Sequence, residues 1–242
     1  MTAVIRTRIG DIAASPCGGV RAAVAGVVVV MRASGALWIE AAGMLVAADL
    51  HLEKGSAYAA RGQLLPPYDT GETLRRLAAE VEALSPRTVV FLGDTLHDGR
   101  AETRIALPDE QRLAAIARGR SLVWVIGNHD ADGPRRLPGE IADALSVDGL
   151  RLRHEPQAGL QRGETAGHLH PCARVVARSR GVRRRCFITD GERVILPAFG
   201  AYAGGLSVRD TAFKGMFAQV PIVVALGTNK AHAVPWAAVA GD

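Results

Sequence analysis

Most histidines of this chain stand in short polar motifs that follow apolar, strand-like runs. Six of the seven histidines occur in this way, in the motifs "DLH", "GDTLHD", "GNHD", "RHEP" and "GHLH". Histidines that only fill a core would not be expected to gather beside carboxylates at the ends of strands. Imidazole nitrogens and carboxylate oxygens are common metal ligands in proteins. The sequence therefore indicates a metal site built from several strand ends.

Two of these motifs carry a pair of candidate ligands with a spacing of two. Asp49 precedes His51 in "DLH". His168 precedes His170 in "GHLH". Residues two apart in an extended strand point to the same face of a sheet. Each pair is therefore expected to hold one cation between its two side chains.

The remaining motifs add other donor atoms. Asp94 in "GDTLHD" has two carboxylate oxygens and can bridge two ions, Asn128 offers an amide oxygen, and His154 offers another imidazole. Mixed oxygen and nitrogen ligands fit Mn, Fe or Zn, whereas Ca and Mg prefer shells of oxygen. The donor set therefore predicts a transition-metal site.

The order of the motifs carries a family resemblance. From Asp49 to His170 the blocks D-x-H, G-D, G-N-H-D, H and G-H-x-H follow one another, and this part of the chain resembles the binuclear metallophosphoesterase (calcineurin-like) superfamily. The resemblance implies two divalent metal ions that share Asp94, the first also held by Asp49, His51 and His170, and the second by Asn128, His154 and His168. It further implies that His129 faces the scissile phosphate as an acid or a stabiliser of charge. His97, in the loop after Asp94, is a second candidate catalytic residue, with a supporting role beside the ligands as the alternative.

A narrower resemblance suggests a substrate. The segments "DLHLEKGSAYAARGQLLPPYDT", "GDTLHD", "HEP", "GHLHP" and "LPAFGAYAGGLSV" are similar to the bacterial ligase-associated DNA damage response endonucleases, over about residues 37–208. That branch implies a phosphodiesterase acting on single-stranded or damaged DNA, with manganese as the metal and iron or zinc as alternatives. It also implies a functional link to an ATP-dependent DNA ligase and the repair machinery.

Two other functions stay open from the residues alone. A phosphomonoesterase or a small-nucleotide phosphohydrolase would use the same binuclear site, because the ligands determine the chemistry and the surrounding loops determine the substrate. A binding module of a repair complex could retain a metal site without hydrolysing anything.

The pattern of elements explains how the motifs come together. An apolar strand ends at Asp49, a helical pattern runs from Asp69 to before Pro86, and a strand, a helix and a strand follow up to Asn128. This alternation predicts parallel strands with crossover helices, whose carboxyl ends meet at one edge. Beyond residue 146 the pattern is of short strands. The resemblance implies that the α/β fold is a four-layer α/β/β/α sandwich of the calcineurin-like type.

Composition sets broader limits. The 242 residues are 48% hydrophobic, and no apolar run approaches the roughly 20 residues that span a membrane. Three cysteines without a CxxC pair favour a reducing compartment, so the cytoplasm is expected. We expect a loosely ordered leader over residues 1–19 and a single domain over residues 20–242.

The net charge of +5 suits a polyanionic partner such as DNA. A nucleotide bias of the source genome towards arginine is the alternative explanation. A dense run of arginines near the C-terminal third could contact phosphates or form a solvated face; its members are Arg174, Arg178, Arg180, Arg183, Arg184 and Arg185.

Overall fold

Two β-sheets of nine strands each form the body of the chain in a computed structural model, which describes residues 4–7, 10–177 and 180–241. The strands of the first sheet follow one another in space as they do in sequence. They are β1 (Val4–Thr7), β2 (Gly10–Ala14), β3 (Val20–Val24), β4 (Val27–Met31), β5 (Leu37–Ile39), β6 (Met44–Ala47), β7 (Thr88–Leu92), β8 (Ser121–Val125) and β9 (Glu140–Ala142).

The first sheet changes character at β6. Strands β1 to β6 pair as antiparallel neighbours, and β6 to β9 pair in parallel. Parallel neighbours need crossover connections, and helices lie in the connections after β6 and β7. The α-helices of the described chain are α1 (Lys54–Ala59), α2 (Asp69–Leu84), α3 (Ala101–Arg104) and α4 (Leu107–Ala117). The predicted alternation of strands and helices is confirmed in this part.

The side chains of β7 alternate between two apolar cores, one on each face of the first sheet. Val90 and Leu92 point to the core between the two sheets, whereas Val89 and Phe91 point to the core under the helices. Leu74 of α2 lies in this second core. Side chains of a strand alternate between faces, so a strand that is apolar at every position requires a cover on both sides.

The second sheet is built from the C-terminal part of the chain. Its strands are β10 (Leu145–Val147), β11 (Leu150–Arg153), β12 (Glu164–Ala166), β13 (Cys172–Ala177), β14 (Arg180–Thr189), β15 (Val194–Ile195), β16 (Ile222–Leu226), β17 (Ala231–Pro235) and β18 (Val239–Ala240). Its main path runs β10-β11-β12-β15-β14-β13-β18, and β16 pairs with both β14 and β17. Leu152 and Phe187 pack against residues of the first sheet, which places the main core between the sheets.

Short 3-10 helices cover the outer face of the second sheet. They span Thr211–Phe213 and Trp236–Ala238, and Phe213 packs with Ile188 and Val223 in a third apolar cluster. The predicted sandwich with two central sheets is confirmed. Its fourth layer is thin, since the α-helices of the described residues all lie on the first sheet's side.

The described part of residues 1–19 includes two strands, and the division into a leader and one domain stays a prediction. β1 pairs with β2 in a register that sets the backbone of Ile5 opposite that of Ile12, and β2 pairs with β3. An edge hairpin of this kind is held by backbone hydrogen bonds and needs little apolar patterning, so its sequence gives a weak signal. Residues 1–3 and 8–9 of the leader, and Arg178 of the arginine run, lie outside the described residues. Among the described helices, none has the length and apolarity that crossing a bilayer requires.

Candidate metal centre

All seven predicted ligands lie at one edge of the sandwich, where the two sheets meet. Asp49, Asp94 and Asn128 follow the carboxyl ends of the parallel strands β6, β7 and β8. His154 follows β11, and the pair His168 and His170 follows β12. Ala48 forms a parallel bridge to Ala198, which joins the sheets beside the ligands. Ends of parallel strands are where α/β proteins place their chemistry.

One group of ligand atoms is formed by Asp49, His51 and His170. The Nε2 atoms of His51 and His170 are 3.3 Å apart. His170 Nε2 is 3.2 Å from Asp49 Oδ1. Asp49 and His51 are buried, and His170 is partly exposed.

A second group surrounds Nε2 of His154. This atom lies 3.4 Å from Asp94 Oδ1, 3.0 Å from Asn128 Oδ1 and 3.1 Å from His168 Nδ1. His154 and Asp94 are buried, whereas Asn128 is exposed. His154 Nδ1 is 3.7 Å from Asp49 Oδ1, so the two groups adjoin.

These separations fit a metal ion better than they fit hydrogen bonding. An imidazole nitrogen can offer at most one proton, so His154 Nε2 cannot be hydrogen-bonded to three converging atoms at once. Ligands at about 2.1 Å from one cation lie about 3.0 Å apart at right angles and about 3.4 Å apart in a tetrahedron. Both groups match these values. The chain thus carries ligands for two divalent metal ions, and the assignment of each residue stays a prediction.

At Asp94 and His51 the electrostatics favour the forms that bind metals, whereas at His154 they favour the protonated form, which a cation would have to displace. Burial would raise the pKa of Asp94, but the hydrogen bond and charge of His154 outweigh it and lower that pKa to about 2. Burial and the neighbouring His170 lower the pKa of His51 to about 3, which keeps this imidazole neutral. Burial opposes the charged form of His154, but Asp94 and Asp49 raise its pKa. A deprotonated carboxylate and a neutral imidazole are the forms that ligate a cation.

The backbone at the ligands is unusual. Five predicted ligands have a positive φ: 54° at Asp49, 45° at His51, 46° at Asp94, 67° at His168 and 46° at His170. Residues other than glycine rarely occupy this left-handed region, at a cost of about 1 kcal/mol or more each. The expectation that each pair shares the face of an extended strand is therefore wrong. The paired side chains converge because the chain turns sharply at both members of each pair.

Glycines in the motifs make room for the neighbouring ligands. A Cβ on Gly93 would collide with the ring of His154, and a Cβ on Gly127 would collide with the backbone and carboxylate of Asp94. The "GD" and "GN" motifs thus need glycine for close approach.

Asp130 ties the loop after β7 to the loop after β8. Its buried carboxylate accepts the backbone N–H groups of Asp94 at 3.2 Å, Thr95 at 2.7 Å, Leu96 at 3.1 Å and Gly127 at 2.9 Å. Burial is the main cause that raises the pKa of Asp130. The residue supports Asp94 and does not lie in either ligand group.

His129 stands at the mouth of the site with 41% of its side chain exposed. Its Nδ1 is 2.9 Å from the backbone oxygen of His97. A carbonyl only accepts, so Nδ1 carries a proton, and Nε2 is the atom available for exchange. Nε2 lies 3.9 Å from Asp94 Oδ2.

His97, the other predicted catalytic residue, stacks on His129 with ring centroids 5.5 Å apart. Burial, Lys54 and His129 lower its pKa. Its ring also lies 6.0 Å from that of Tyr58. The contacts place His97 beside His129, and one nitrogen each of His51, His97 and His129 lie within 4.8 Å of one another, so a catalytic and a supporting role for His97 both stay predictions.

Two arginines support the ligand strands. Arg76 of α2, which the sequence did not single out, donates to the carbonyl of Phe199. Arg185, a member of the arginine run, donates to the carbonyls of Ala198 and Gly200. The N–H of Gly200 in turn donates to the carbonyl of Asp49. Arg76 and Phe199 are 123 positions apart, and a contact over such a separation leaves no local signal in the sequence.

Comparisons with known proteins identify the family and the fold. The family model of the calcineurin-like phosphoesterases matches residues 44–179. The crystal structure of the nuclease MPE of Pseudomonas putida has a TM-score of 0.66 at 24% identity, covering 97% of this chain and 100% of that one. Yfce, a phosphoesterase from E. coli, has a TM-score of 0.39 at 16% identity, covering 79% of this chain and 98% of that one. No curated protein sequence matches the chain significantly. With more than half of its length matched by the family model, and with the ligands for two ions in place, the chain belongs to the calcineurin-like phosphoesterase family and is a metal-dependent phosphoester hydrolase.

Proposed function

We propose that the protein is a DNA nuclease that hydrolyses internal phosphodiester bonds of single-stranded or damaged DNA in repair. The observation that carries the proposal is the exposure of the site. Asp49 and Asp94 are buried, whereas Asn128 and His129 are open to solvent beside them. A nucleic acid can present one of its phosphodiesters to such an open centre, because no part of the polymer has to enter a closed pocket.

Two further observations support a nucleic-acid substrate. The net charge of +5 favours a polyanion. The nuclease MPE has the same fold over almost the whole chain. Manganese is the ion we propose, since the donor set mixes nitrogen and oxygen.

The chemistry follows from the residues at the mouth of the site. Two divalent ions, when bound, neutralise charge on the phosphate and lower the pKa of a water molecule. Asp94 belongs to the second ligand group, which adjoins the first, and is proposed to serve both. His129 keeps its Nδ1 proton on the His97 carbonyl, and presents Nε2 to the substrate. In its doubly protonated form His129 can give the Nε2 proton to the leaving oxygen.

A small-nucleotide hydrolase or a phosphomonoesterase is the second candidate. A cleft of about 330 Å³ beside Asn128 and His129 has the volume of a small-molecule site. Its lining includes Asp98, Glu102 and Asp132. Arg135 also lines the cleft and pairs with Asp132, and Arg104 pairs with Asp98, so the charge of the lining is compensated and the choice between the two substrates falls to the test below.

A closed circle of single-stranded DNA gives the test, because it can be cut only internally. The metal-stripped protein is incubated with the circle and Mn, and the Asp94→Asn variant is compared with Asp148→Asn, which alters an exposed carboxylate in the turn between β10 and β11. We expect linear products from the wild type and from Asp148→Asn, and none from Asp94→Asn. An intact circle together with hydrolysis of small phosphoesters by the metal-loaded wild type would reject the nuclease in favour of the second candidate. A metal-loaded wild type that binds DNA and hydrolyses no phosphoester would indicate the binding module.

The functional link to an ATP-dependent DNA ligase belongs to the same proposal. A cut that leaves a 5′-phosphate and a 3′-hydroxyl gives ends that such a ligase can join. End-group analysis of the linear product tests this link: a 3′-phosphate at every cut would argue against direct hand-over to a ligase.

A further inference from the structure

A groove lined by arginines lies next to the segment that supports Asp49. It has a volume of about 450 Å³, and its polar lining consists of Ser34, Arg76, Arg183, Arg184, Arg185 and Thr228. The described residues that line it include no aspartate or glutamate. Glu72 lies 3.7 Å from Arg76 but is also paired with Arg75 at 2.8 Å. The groove therefore carries a concentrated positive charge.

Arg183, Arg184 and Arg185 are consecutive on β14 and still line the same groove. The groove lies where β14 changes its pairing partners. β14 pairs with β13 from Arg180 to Arg185, and its pairing with β16 begins only at Cys186. The chain after β16, including Thr228, lines the groove beside the earlier part of β14. Alternation of side chains would otherwise divide Arg183 and Arg184 between two faces.

All four arginines of the groove donate to backbone carbonyls. Arg183 donates to Gly205 at 2.7 Å, and Arg184 donates to Arg183 at 3.2 Å. Arg76 Nη2 lies 2.6 Å from the Phe199 carbonyl, and Arg185 Nη1 lies 2.9 Å from the carbonyls of both Ala198 and Gly200. Each guanidinium has five N–H donors, more than these carbonyls take up. Burial and the nearby charge of Arg185 lower the pKa of Arg76 to about 10. Like charges held together are relieved when an anion lies between them.

The groove is coupled to the ligand strands. The segment Ala198–Gly200 accepts the arginines through its carbonyls, while its N–H groups donate to Ala48 and Asp49. The groove and the metal centre therefore share this one segment as a neighbour. Arg183 and Arg184 are exposed at the groove.

We propose that this groove binds the phosphodiester backbone of the nucleic acid, next to the phosphate that is hydrolysed. The inference rests on the proposed nuclease function and adds a second contact surface to it. Phosphate contacts by arginine position a nucleic acid without reading its sequence. A substrate of about ten nucleotides can reach both places, whereas a small aryl phosphodiester fills only the metal centre.

The test uses Arg183→Gln, Arg184→Gln and the double variant. Arg118→Gln is the matched control, since Arg118 is exposed after α4, at the opposite end of β8 from Asn128. Binding of a labelled single-stranded 20-mer is measured at several salt concentrations with a chelator present. Hydrolysis of bis-4-nitrophenyl phosphate with Mn is measured in parallel and verifies that each variant is folded and has an intact metal centre.

We expect each single variant to bind the 20-mer roughly fivefold more weakly. The double variant should reduce the slope of log affinity against log salt by about 1.4, because each phosphate contact on a single strand contributes about 0.7. Hydrolysis of the small diester should stay within about twofold of the wild type. Unchanged affinity and slope in the double variant would contradict the proposal that the groove binds the nucleic acid. An equal loss of affinity in Arg118→Gln would contradict it too. If the wild type binds the 20-mer through these arginines but never cuts it, the nuclease function fails while the groove stands.

Discussion

The carboxylate of Asp130 accepts the backbone N–H of Asp94 at 3.2 Å, and the same oxygen accepts the N–H of Gly127 at 2.9 Å. One buried side chain thus fixes the loop of the proposed bridging ligand relative to the loop of Asn128. Its other oxygen accepts the N–H groups of Thr95 and Leu96. The positive φ of Asp94 is held by these bonds and not by its own preference.

Replacement of Asp130 by asparagine should therefore loosen the metal centre without removing a ligand. The amide NH2 would face two backbone donors, leave them unpaired, and lower the free energy of unfolding by about 2 kcal/mol. We expect metal affinity to fall by about 10- to 100-fold, as for other residues that orient ligands. Titration of the metal-stripped variant with Mn measures this. Asp132→Asn, at a side chain 83% exposed, is the control and should bind like the wild type. Unchanged affinity in Asp130→Asn would show that the ligands hold their own positions.

Gly127→Ala should disable the site by a single methyl group. The added Cβ would occupy the space of the Asp94 backbone and carboxylate, so one of the two loops must move. A displacement of about 1 Å at a reacting centre costs about 100-fold in rate, and we expect a loss of at least that size in hydrolysis of a small diester. Gly99→Ala is the matched control, because a Cβ there meets nothing within 4 Å. A fully active Gly127→Ala would mean that the loops tolerate the shift.

The sequence predicted the chemistry of the site more completely than its geometry. Donor types and the order of the motifs identified the seven candidate ligands, since each motif contains its own donor. The extended pairing of Asp49 with His51 was wrong, because left-handed backbone at single non-glycine residues is imposed by surrounding contacts such as those of Asp130. No local pattern encodes such contacts.

The same distinction applies to the fold. The parallel strands and α2 were predictable from apolar periodicity, which is a local property. The edge hairpin of β1 and β2 was not, since its pairing depends on the partner β3. Likewise, Arg76 reads as an ordinary surface residue of a helix until the fold brings it to Phe199.

The number of bound metal ions should depend on which of the two ligand groups a substitution alters. We expect two ions per chain in the wild type, about one in His51→Ala and in His168→Ala, and fewer still in Asp94→Ala. His232→Ala, at an exposed histidine of β17, is the control and should retain both. Elemental analysis after equilibration with Mn gives the count. Loss of both ions from His51→Ala and from His168→Ala alike would contradict the division into two groups.

Metal removal should also lower thermal stability. Bound ions would hold together five residues with strained backbone, among them the buried carboxylates Asp49 and Asp94. At 100 times its dissociation constant a ligand stabilises the folded state by about 2.7 kcal/mol, or about 5 to 10 °C in a protein of this size. Scanning calorimetry with Mn and with a chelator measures the shift. The shift should be largely absent in Asp94→Ala. An equal shift in this variant would mean that Mn stabilises the protein by binding at another place.

His129 should matter most for substrates with poor leaving groups. Its Nε2 is the atom available for proton exchange, because Nδ1 donates to the His97 carbonyl. In His129→Ala we expect kcat for an oligonucleotide, whose leaving group is an alkoxide, to fall by about 100- to 10,000-fold. The loss for bis-4-nitrophenyl phosphate should be much smaller, since 4-nitrophenolate leaves without a proton. His97→Ala keeps the carbonyl that orients His129 and should lose less activity than His129→Ala. Equal losses of kcat on both substrates would exclude the acid role and leave His129 as a stabiliser of charge. A loss of bound metal from His129→Ala would instead identify His129 as a ligand.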